Sequence, residues 1–538
     1  MNIPVLAAVL LGYIAVVTYL SYIGYRQTKS AEDYMVAGRQ MSGWIMALSY
    51  ASTFISTSAI VGFGGAAGVF GFTLMWLSFF NIILGIFVAF IFLGEPIRRM
   101  SHNLGTSTLA SMLGERYQSK FLTWFIGLMI FLLMPAYTGV VLIGGARFVE
   151  ESLKIDFNLA LLLLALIIAL YVGWGGLKGI MYADAFMCGM MVLGMVVLLV
   201  KTYLVVGGVT AGHQALTGLA NLVPESLAKG GHLGWTAMPR WGSPIWWTVI
   251  STIVMGVGIG VLAQPQLILR FLTVPNRRAL NRAVLTGGIC IFLFTGTAFI
   301  VGPLTNVYFH DTLGKISIVA AKNNTDLIIP TFINSVMPPA YIYLFMVTLL
   351  SACITTVNGL VHVQSVAFSR DLLATWNVKA SPLTLSRIGV AVGTLAAVVM
   401  AYILPISIIA RATAFWFGIC AAGILPALLG AIFWTRVTKQ AGVWSVALGY
   451  GASIFGYVFL HASEAVPFGI CQAIFGRPTL LPYPWTHIDP LFYSIIISAV
   501  TLVVVTLLTS PLSREHLERS FQGVGRRRDV VSGDQAGA

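Results

Sequence analysis

Residues 48–65 read LSYASTFISTSAIVGFGG and place hydroxyl side chains and glycines inside an otherwise apolar stretch. Six of the ten residues from 49 to 58 are serine or threonine: Ser49, Ser52, Thr53, Ser56, Thr57 and Ser58. The glycines that follow, beginning with Gly62, weaken a helix. Small polar residues can simply let two helices approach closely. They also mark places where a membrane helix breaks and its freed carbonyls bind a cation, so this segment is a candidate break.

A second polar segment, LLSACITTVNGLVHVQS, occupies residues 349–365. Ala352, Thr355 and Thr356 are spaced i, i+3 and i+4, which puts them on one face of a helix. Two hydroxyls and an accessible carbonyl are uncharged oxygen ligands that suit a weakly held monovalent cation. His362 lies on the same helix, where it is either a proton carrier or a packed core histidine.

Asp184, in the segment GWGGLKGIMYADAF, is an acid close to the start of an apolar run. A carboxylate inside a membrane is costly and indicates a functional site. The alternative is a carboxylate at headgroup level that pairs with Lys178.

Composition defines the class of protein in which these residues act. Of the 538 residues, 58% are hydrophobic and only 9% are charged, whereas a soluble domain has about 25% charged residues. We therefore expect an all-α polytopic membrane protein embedded in a lipid bilayer. The net charge of +13 does not indicate nucleic-acid binding, because the basic residues form no patch with aromatic residues between them. The five cysteines show no CxxC pairing, which argues against a disulfide framework or a metal cluster.

Apolar runs of helical length predict about thirteen transmembrane helices. The predicted spans are 4–24, 43–69, 72–95, 121–146, 158–175, 181–205, 245–269, 283–308, 338–367, 386–404, 411–434, 441–462 and 489–509. Alternate loops hold 22 of the 31 Lys and Arg residues. Because positive loops stay in the cytoplasm, this distribution predicts an outside N-terminus and a cytoplasmic C-terminus in the plasma (inner) membrane. Pro265, in LAQPQLILRF, either kinks the helix at an inner gate or simply ends it.

The sequence resembles the sodium/solute symporter family across essentially residues 1–510. The resemblance is carried by the first span followed by SAEDYMVAGRQMSGW, by GGLKGIMYADAF, and by the ninth-span run that ends in SVAFSRDLL. It implies one transporter domain with an inverted repeat of five plus five core helices, one leading span and two trailing spans. The repeats would cover about 43–205 and 245–434, and residues 511–538 would form a short basic cytoplasmic tail.

The resemblance also implies a sodium site. Its ligands would be the carbonyls of Ser52, Ile55 and Ala352 and the hydroxyls of Thr355 and Thr356. Asp184 matches an acid that affects sodium coupling in relatives. A second sodium ion in relatives uses further hydroxyls, and the matching positions here are Asn358 and Gly359, so we expect one sodium ion per cycle.

The matching solute positions lie on four core helices. They are Ser58 and Ala59, Ser78 and Asn81, Thr248, Ser251 and Thr252, and Phe415 and Trp416. Relatives that bind sugars carry carboxylate or amide groups where this chain has Ala59 and Ser78, so a monocarboxylate or an amino acid is favoured. Arg411 either attracts an anion or only extends to the interface, and Trp416 is either a lid or a packing residue.

The expected function is sodium-coupled import of a small organic solute by alternating access. A proton-coupled carrier that uses Asp184 or His362 is the main alternative, and a transporter-like sensor is a further one. An enzyme is not expected, because the spans contain no HExxH, GxSxG or paired-acid motif. The sequence requires no cofactor other than the coupling ion, and no obligatory protein partner.

Overall fold

The structure, a computed structural model, describes residues 3–373, 381–404 and 409–524, and these residues form helices and loops without a β-strand. In the first part of the chain the helices are α1 (Ile3–Gln27), α2 (Ala31–Val36), α3 (Gly43–Phe54), α4 (Gly64–Phe70), α5 (Met75–Ile82), α6 (Glu95–Asn103), α7 (Leu109–Arg116), α8 (Lys120–Leu153), α9 (Phe157–Val205), α10 (Val209–Gly218) and α11 (Glu225–Lys229). In the second part they are α12 (Pro244–Trp246), α13 (Val257–Gly260), α14 (Pro265–Phe271), α15 (Arg277–Leu313), α16 (Ser317–Ala320), α17 (Ile328–Val336), α18 (Pro339–Val366), α19 (Pro382–Ile403), α20 (Ile409–Phe433), α21 (Lys439–Phe459), α22 (Ala462–Phe468), α23 (Ile470–Phe475), α24 (Leu491–Leu508) and α25 (Arg514–Phe521). Wider π-helical segments extend or join some of these helices at Ser58–Phe63, Ile83–Gly94, Trp247–Gly256 and Ala367–Leu372.

Within the described residues, eleven helical stretches are long and apolar enough to cross a membrane. They are Pro4–Gln27, Ser58–Asn103, Lys120–Glu150, Gly175–Val205, Pro244–Ala263, Arg277–Leu313, Pro339–Leu372, Pro382–Ile403, Ile409–Phe433, Lys439–Phe459 and Leu491–Leu508. The predicted class, an all-α integral membrane protein, is confirmed.

The predicted number of about thirteen spans differs from this count of eleven because two of the predicted spans are shorter or interrupted in the structure. The predicted span 43–69 is interrupted after Phe54, which leaves α3 with only 12 residues. The predicted span 158–175 corresponds to a shorter apolar helix, Phe157–Gly173. Residues 374–380, which include Lys379, and the tail from residue 525 lie outside the described residues. The described part of the predicted tail contains α25.

Helix α9 is two helices joined at a glycine. Its 49 residues would measure about 74 Å if straight, more than twice the thickness of a bilayer core. Gly176 divides the helix with φ 58° and ψ −176°, a conformation that glycine adopts without strain. Asp184 lies two turns beyond this point, on the second half.

Two further helices are interrupted where the sequence is polar. Ile55 ends α3 with φ −93° and ψ 96°, and Ser56 follows before the helix resumes. Gln264 has φ −75° and ψ 114°, and Pro265 then begins α14. Pro265 therefore stands at the first position of a new short helix, because proline has no backbone N–H to bond to the previous turn. Each predicted repeat begins with an interrupted helix, while the repeat boundaries stay a prediction.

Helices α18 and α20 form the centre of the bundle. In their most apolar windows, 94% and 89% of the residues are buried, whereas α1 and α24 expose most of theirs to lipid. α18 packs against α3, α8, both halves of α9, and α19. Polar residues on α18 therefore face protein and not lipid, as membrane helices require.

Candidate ion and solute site

The hydroxyls of Ser56 and Thr57, at the break that follows α3, are buried and bond within the protein. Thr57 donates its hydroxyl to the carbonyl of Val141 on α8 at 2.8 Å. The hydroxyl of Ser56 accepts a hydrogen bond from the backbone N–H of Ser58 at 3.1 Å, which caps the segment that resumes after the break. These hydroxyls thus provide hydrogen-bond partners for backbone N–H and C=O groups, which lipid cannot provide.

Thr355 and Thr356 of α18 contact the last turn of α3. The Thr355 hydroxyl lies 2.9 Å from the carbonyl oxygen of Ser52, 2.8 Å from that of Ser351, and 3.4 Å from that of Ala352. The Thr356 hydroxyl donates to the carbonyl of Thr53 at 3.0 Å. Three of the five predicted ligands, Ser52, Ala352 and Thr355, are therefore within one cluster of oxygens.

The remaining predicted ligands border this cluster. Thr356 is next to Thr355 and engages Thr53, one residue after the predicted Ser52. Ile55 is the residue at which α3 ends, so its carbonyl is outside the regular helix. In the described residues no group of three or more His, Cys, Asp or Glu side chains could hold a metal ion. The donors here are neutral oxygens, and these fit a monovalent cation better than zinc or another transition metal.

Asp184 is the centre of a buried charged network. Its Oδ2 accepts hydrogen bonds from the hydroxyls of Ser49 at 2.7 Å and Thr53 at 3.4 Å. The guanidinium of Arg270 approaches the same oxygen at 3.4 Å and donates to the Thr53 hydroxyl at 2.8 Å. Both charged side chains are completely buried. Asp184 therefore does not pair with Lys178, which instead binds Asp33 at 2.6 Å.

The position of Arg270 differs from the one expected from the sequence. Arg270 follows the predicted span 245–269 and is one of the 22 Lys and Arg residues of the predicted cytoplasmic loops, but it lies on α14 and is fully buried. A β-carbon on Gly359 of α18 would lie 3.1 Å from one of its terminal nitrogens, so the guanidinium sits closely against that glycine. The sequence signal that could have indicated the burial of Arg270 is Pro265 followed by apolar residues. The break at Gln264 and Pro265 turns the chain so that Arg270 lies against the bundle.

A small cavity lies beside the break of α3. Its volume is about 20 Å³, enough for roughly one water molecule, so an organic solute would not fit in this conformation. The lining residues are Phe54, Ile55, Ser56, Ala59, Phe63, Leu77, Asn81, Tyr137, Val257, Thr295, Phe299, Thr413 and Phe417. The lining is apolar and aromatic with a few neutral polar groups, and no charged side chain belongs to it.

The predicted solute residues divide into two groups. Ala59 and Asn81 line the cavity, and the buried Oδ1 of Asn81 has no hydrogen-bond partner among the described residues. The other seven do not line it in this structure: Ser58, Ser78, Thr248, Ser251, Thr252, Phe415 and Trp416. Ser251 accepts a hydrogen bond from the backbone of Asp489 at 3.1 Å.

On α20 the lining positions are offset from the predicted ones. Thr413 and Phe417 line the cavity, whereas Phe415 packs against Tyr457 with ring centres 4.4 Å apart and Trp416 is fully buried. Helical periodicity explains the offset, because positions 413 and 417 share one face while 415 points elsewhere. The sequence shows that residues 413 and 417 share a face, but it does not show that this face of α20 is directed toward the cavity.

His362 and Arg411 lie away from the cavity lining. The Nε2 of His362 is 3.3 Å from the carbonyl oxygen of Met35, and its ring packs on Tyr34 at 5.4 Å. Both partners belong to α2, in the loop after α1, so His362 has the contacts of a packed core histidine. Arg411 is half-buried at the start of α20.

The fold and the site define a transporter with interrupted helices, and similarity to known proteins identifies the family. The sodium:solute symporter family model matches residues 34–449, so the chain belongs to this family. The sodium/pantothenate symporter of Haemophilus influenzae is 25% identical over 458 residues, covering 83% of this chain and 90% of that protein. The sodium/proline symporter of Escherichia coli is 22% identical and covers 85% and 88% of the two chains.

Solved structures agree on the fold. The outward-open, substrate-bound structure of a Na⁺-coupled sialic acid symporter superimposes with a TM-score of 0.71 at 17% identity, covering 95% of this chain and 99% of that one. The nucleobase-cation-symport-1 family transporter Mhp1 superimposes with a TM-score of 0.50 at 13% identity, covering 92% and 99%. The five-plus-five helical architecture expected from the resemblance is therefore supported by structure as well as by sequence.

The Asp184–Arg270 pair predicts a specific pattern of stability. Changing Arg270 to Gln leaves a buried carboxylate without its cation, which costs about 3–5 kcal/mol of stability. Changing Asp184 to Asn destabilises in the same way, and the double variant should recover much of the loss because neither charge remains unpaired. Thermal unfolding of the four purified proteins measures this cycle. Losses that simply add in the double variant would mean that the two residues do not interact.

Proposed function

We propose that the protein is a sodium-coupled symporter that imports a small organic monocarboxylate or amino acid by alternating access. The observation that carries the proposal is the cluster in which the Thr355 hydroxyl meets the carbonyls of Ser52 and Ala352, within 3.4 Å, at the end of a broken helix. A bound sodium ion would contact these carbonyl oxygens in place of the hydroxyl's hydrogen bond, and the Thr355 hydroxyl would keep its proton and contact the ion through its oxygen. Ser52, Ile55, Ala352, Thr355 and Thr356 remain the proposed ligands.

Sodium binding at this position would couple two separate elements. Ser52 and Ile55 belong to the end of α3, and the other three ligands belong to α18. An ion that contacts both helices stabilises the arrangement in which they meet, and only such a difference in affinity between conformations can drive a transition. With a zwitterionic amino acid as solute, one sodium ion moved across about 100 mV supplies about 2.3 kcal/mol, or roughly 50-fold accumulation. With a monocarboxylate the one-to-one cycle moves no net charge, and the sodium concentration gradient alone drives it.

One sodium ion per cycle is the stoichiometry that the residues favour. The Arg270 guanidinium already provides a positive charge beside Asp184, at 3.4 Å. The adjacent positions on α18, Asn358 and Gly359, carry no hydroxyl, and Gly359 leaves room that the guanidinium occupies. Asp184 is proposed to act in coupling by holding α3, α9 and α14 together through Ser49, Thr53 and Arg270.

The chemistry of the cavity favours a solute with an apolar body and one anionic end. Five aromatic rings belong to the lining, those of Phe54, Phe63, Tyr137, Phe299 and Phe417. The segment that resumes after the break has the positive end of its helix dipole there, which favours a negative charge, and the N–H groups of Ser58 and Ala59 are already bonded to Ser56. The polar side chains of the lining are Ser56, Asn81, Tyr137, Thr295 and Thr413, and the hydroxyls of Ser56, Thr295 and Thr413 already bond to backbone groups. A sugar would therefore bury hydroxyls without partners.

The proton-coupled alternative has less support. His362 is held by α2, and Asp184 is paired with Arg270, so neither is positioned as an isolated proton carrier. Orientation with the C-terminus in the cytoplasm also remains a proposal. Removing the buried Arg270 from the loop count leaves 21 basic residues on the proposed cytoplasmic side, still a clear excess.

The sodium site can be tested without knowing the solute. Replacing Thr355 and Thr356 together with Ala removes both hydroxyl ligands and should weaken ²²Na⁺ binding to the purified protein by roughly tenfold or more. Ser365→Ala is the matched control, because this hydroxyl lies ten residues after Thr355 on the same helix and bonds back to the carbonyl of His362 at 2.7 Å. Wild-type sodium affinity in the double variant would disprove the assignment.

The solute cavity gives a separate prediction. Asn81→Leu should raise the KM of the transported carboxylate by about tenfold, because an uncharged amide that binds a carboxylate is lost. Half-saturation by sodium should change little, since Asn81 has no contact with the oxygen cluster. Ser78→Ala, one turn earlier on α5 and outside the lining, should have the smaller effect on KM. The reverse order would move the solute contact from Asn81 to Ser78.

A further inference from the structure

A large groove runs along the membrane face of the protein between the leading helix and the bundle. Its volume is about 510 Å³, within the range of ordinary small-molecule pockets. The lining residues come from α1, from the first half of α9, and from α18: Tyr13, Ile14, Val17, Thr18, Ser21, Tyr22, Tyr25, Ile167, Leu170, Tyr171 and Ile354. This groove is separate from the ion and solute site.

The walls of the groove are fixed by close helix packing. A β-carbon on Gly24 of α1 would lie 2.2 Å from the Cα of Gly179, so these two backbones touch directly. Aromatic and aliphatic side chains line the groove, and among them Ile14 is 39% and Leu170 is 47% exposed. Since these side chains belong to helices that face the bilayer, an acyl chain is the occupant that the surroundings supply.

One end of the groove carries unbalanced positive charge. Arg26 follows the lining residue Tyr22 by one helical turn and is therefore on the same face of α1. Arg387 of α19 donates its Nε to the carbonyl of Gly173 at 3.2 Å, two residues beyond the lining residue Tyr171. The Gly173 carbonyl is uncharged, so it does not neutralise the charge of Arg387. Lys178, also near this end, is neutralised by its ion pair with Asp33 at 2.6 Å. Basic groups at the end of an intramembrane groove are typical of anionic lipid sites.

The floor of the groove is connected to the ion site. The Tyr13 hydroxyl is 3.0 Å from the hydroxyl of Ser351, and the carbonyl of Ser351 accepts the Thr355 hydroxyl at 2.8 Å. Ile354, which lines the groove, precedes Thr355 on α18. An occupant of the groove therefore packs against the back of the helix that presents Thr355 and Thr356.

We propose that the groove binds an anionic phospholipid of the bilayer, with one acyl chain against Val17, Leu170 and Ile354 and the phosphate at Arg26 and Arg387. The acyl chain fills the space between α1 and α18, and the two arginines select a negatively charged headgroup. The bound lipid supports the helix that carries Thr355 from the side opposite the ion. This site is independent of the identity of the transported solute.

The test compares two lipids with identical dioleoyl chains, phosphatidylglycerol and phosphatidylcholine, titrated onto the purified full-length protein in detergent and counted by native mass spectrometry. Phosphatidylglycerol should bind saturably and more tightly than phosphatidylcholine. Arg26→Gln and Arg387→Gln should each weaken phosphatidylglycerol by about fivefold and leave phosphatidylcholine unchanged. Leu170→Trp should weaken both lipids, because it fills the groove.

Two matched variants control for general effects. Arg436→Gln removes an exposed arginine, and Leu285→Trp enlarges a side chain that is 71% exposed; neither residue lines the groove, so wild-type lipid binding is expected. Because Arg26 and Leu170 are also exposed, their substitutions remove no buried contact. Equal affinity for the two lipids in the wild type, or unchanged phosphatidylglycerol binding in both Arg26→Gln and Leu170→Trp, would overturn the proposal.

Discussion

The organisation of the centre of this protein depends on one constraint: a helix that ends inside a membrane must find partners for its last backbone carbonyls within the protein. Helix α3 ends at Phe54, and the hydroxyls of Thr355 and Thr356 reach the carbonyls of Ser52 and Thr53 at 2.9 and 3.0 Å. Helix α18 must therefore lie against this end. Three of these four oxygens, those of Ser52, Thr355 and Thr356, are also proposed sodium ligands, so under the proposed function the same groups would serve the helix end and the ion.

The buried charge pair follows from the same geometry. Asp184, Ser49, Thr53 and Arg270 bring together α9, α3 and α14, and the second interruption at Gln264 is what allows Arg270 to enter the bundle. Two buried charges are costly and give little net stability. Their contribution is therefore to specify how the two interrupted helices meet each other and α9.

The sequence predicted the membrane class from long apolar runs, and it predicted Ala352, Thr355 and Thr356 from their i, i+3 and i+4 spacing on one helix face; Ser52 and Ile55 were added by the family resemblance. Asp184 was identified from the sequence itself, as an acid close to the start of an apolar run. Arg270 was missed because a basic residue at the end of a predicted apolar span, five residues after Pro265, looks like a loop residue until the chain is folded. Phe415 and Trp416 were chosen without knowing the rotation of α20, whereas Thr413 and Phe417 are the residues that face the cavity. Helix rotation depends on packing against distant segments, which periodicity along one helix does not contain.

Uptake into proteoliposomes tests the central claim, that a sodium gradient drives this protein, most directly. The wild-type protein is supplied with labelled pantothenate, proline and a set of small monocarboxylates under an inward sodium gradient or an inward proton gradient. The account predicts that uptake requires the sodium gradient and persists when a protonophore removes the proton gradient. Uptake that follows the proton gradient in the absence of sodium would contradict it.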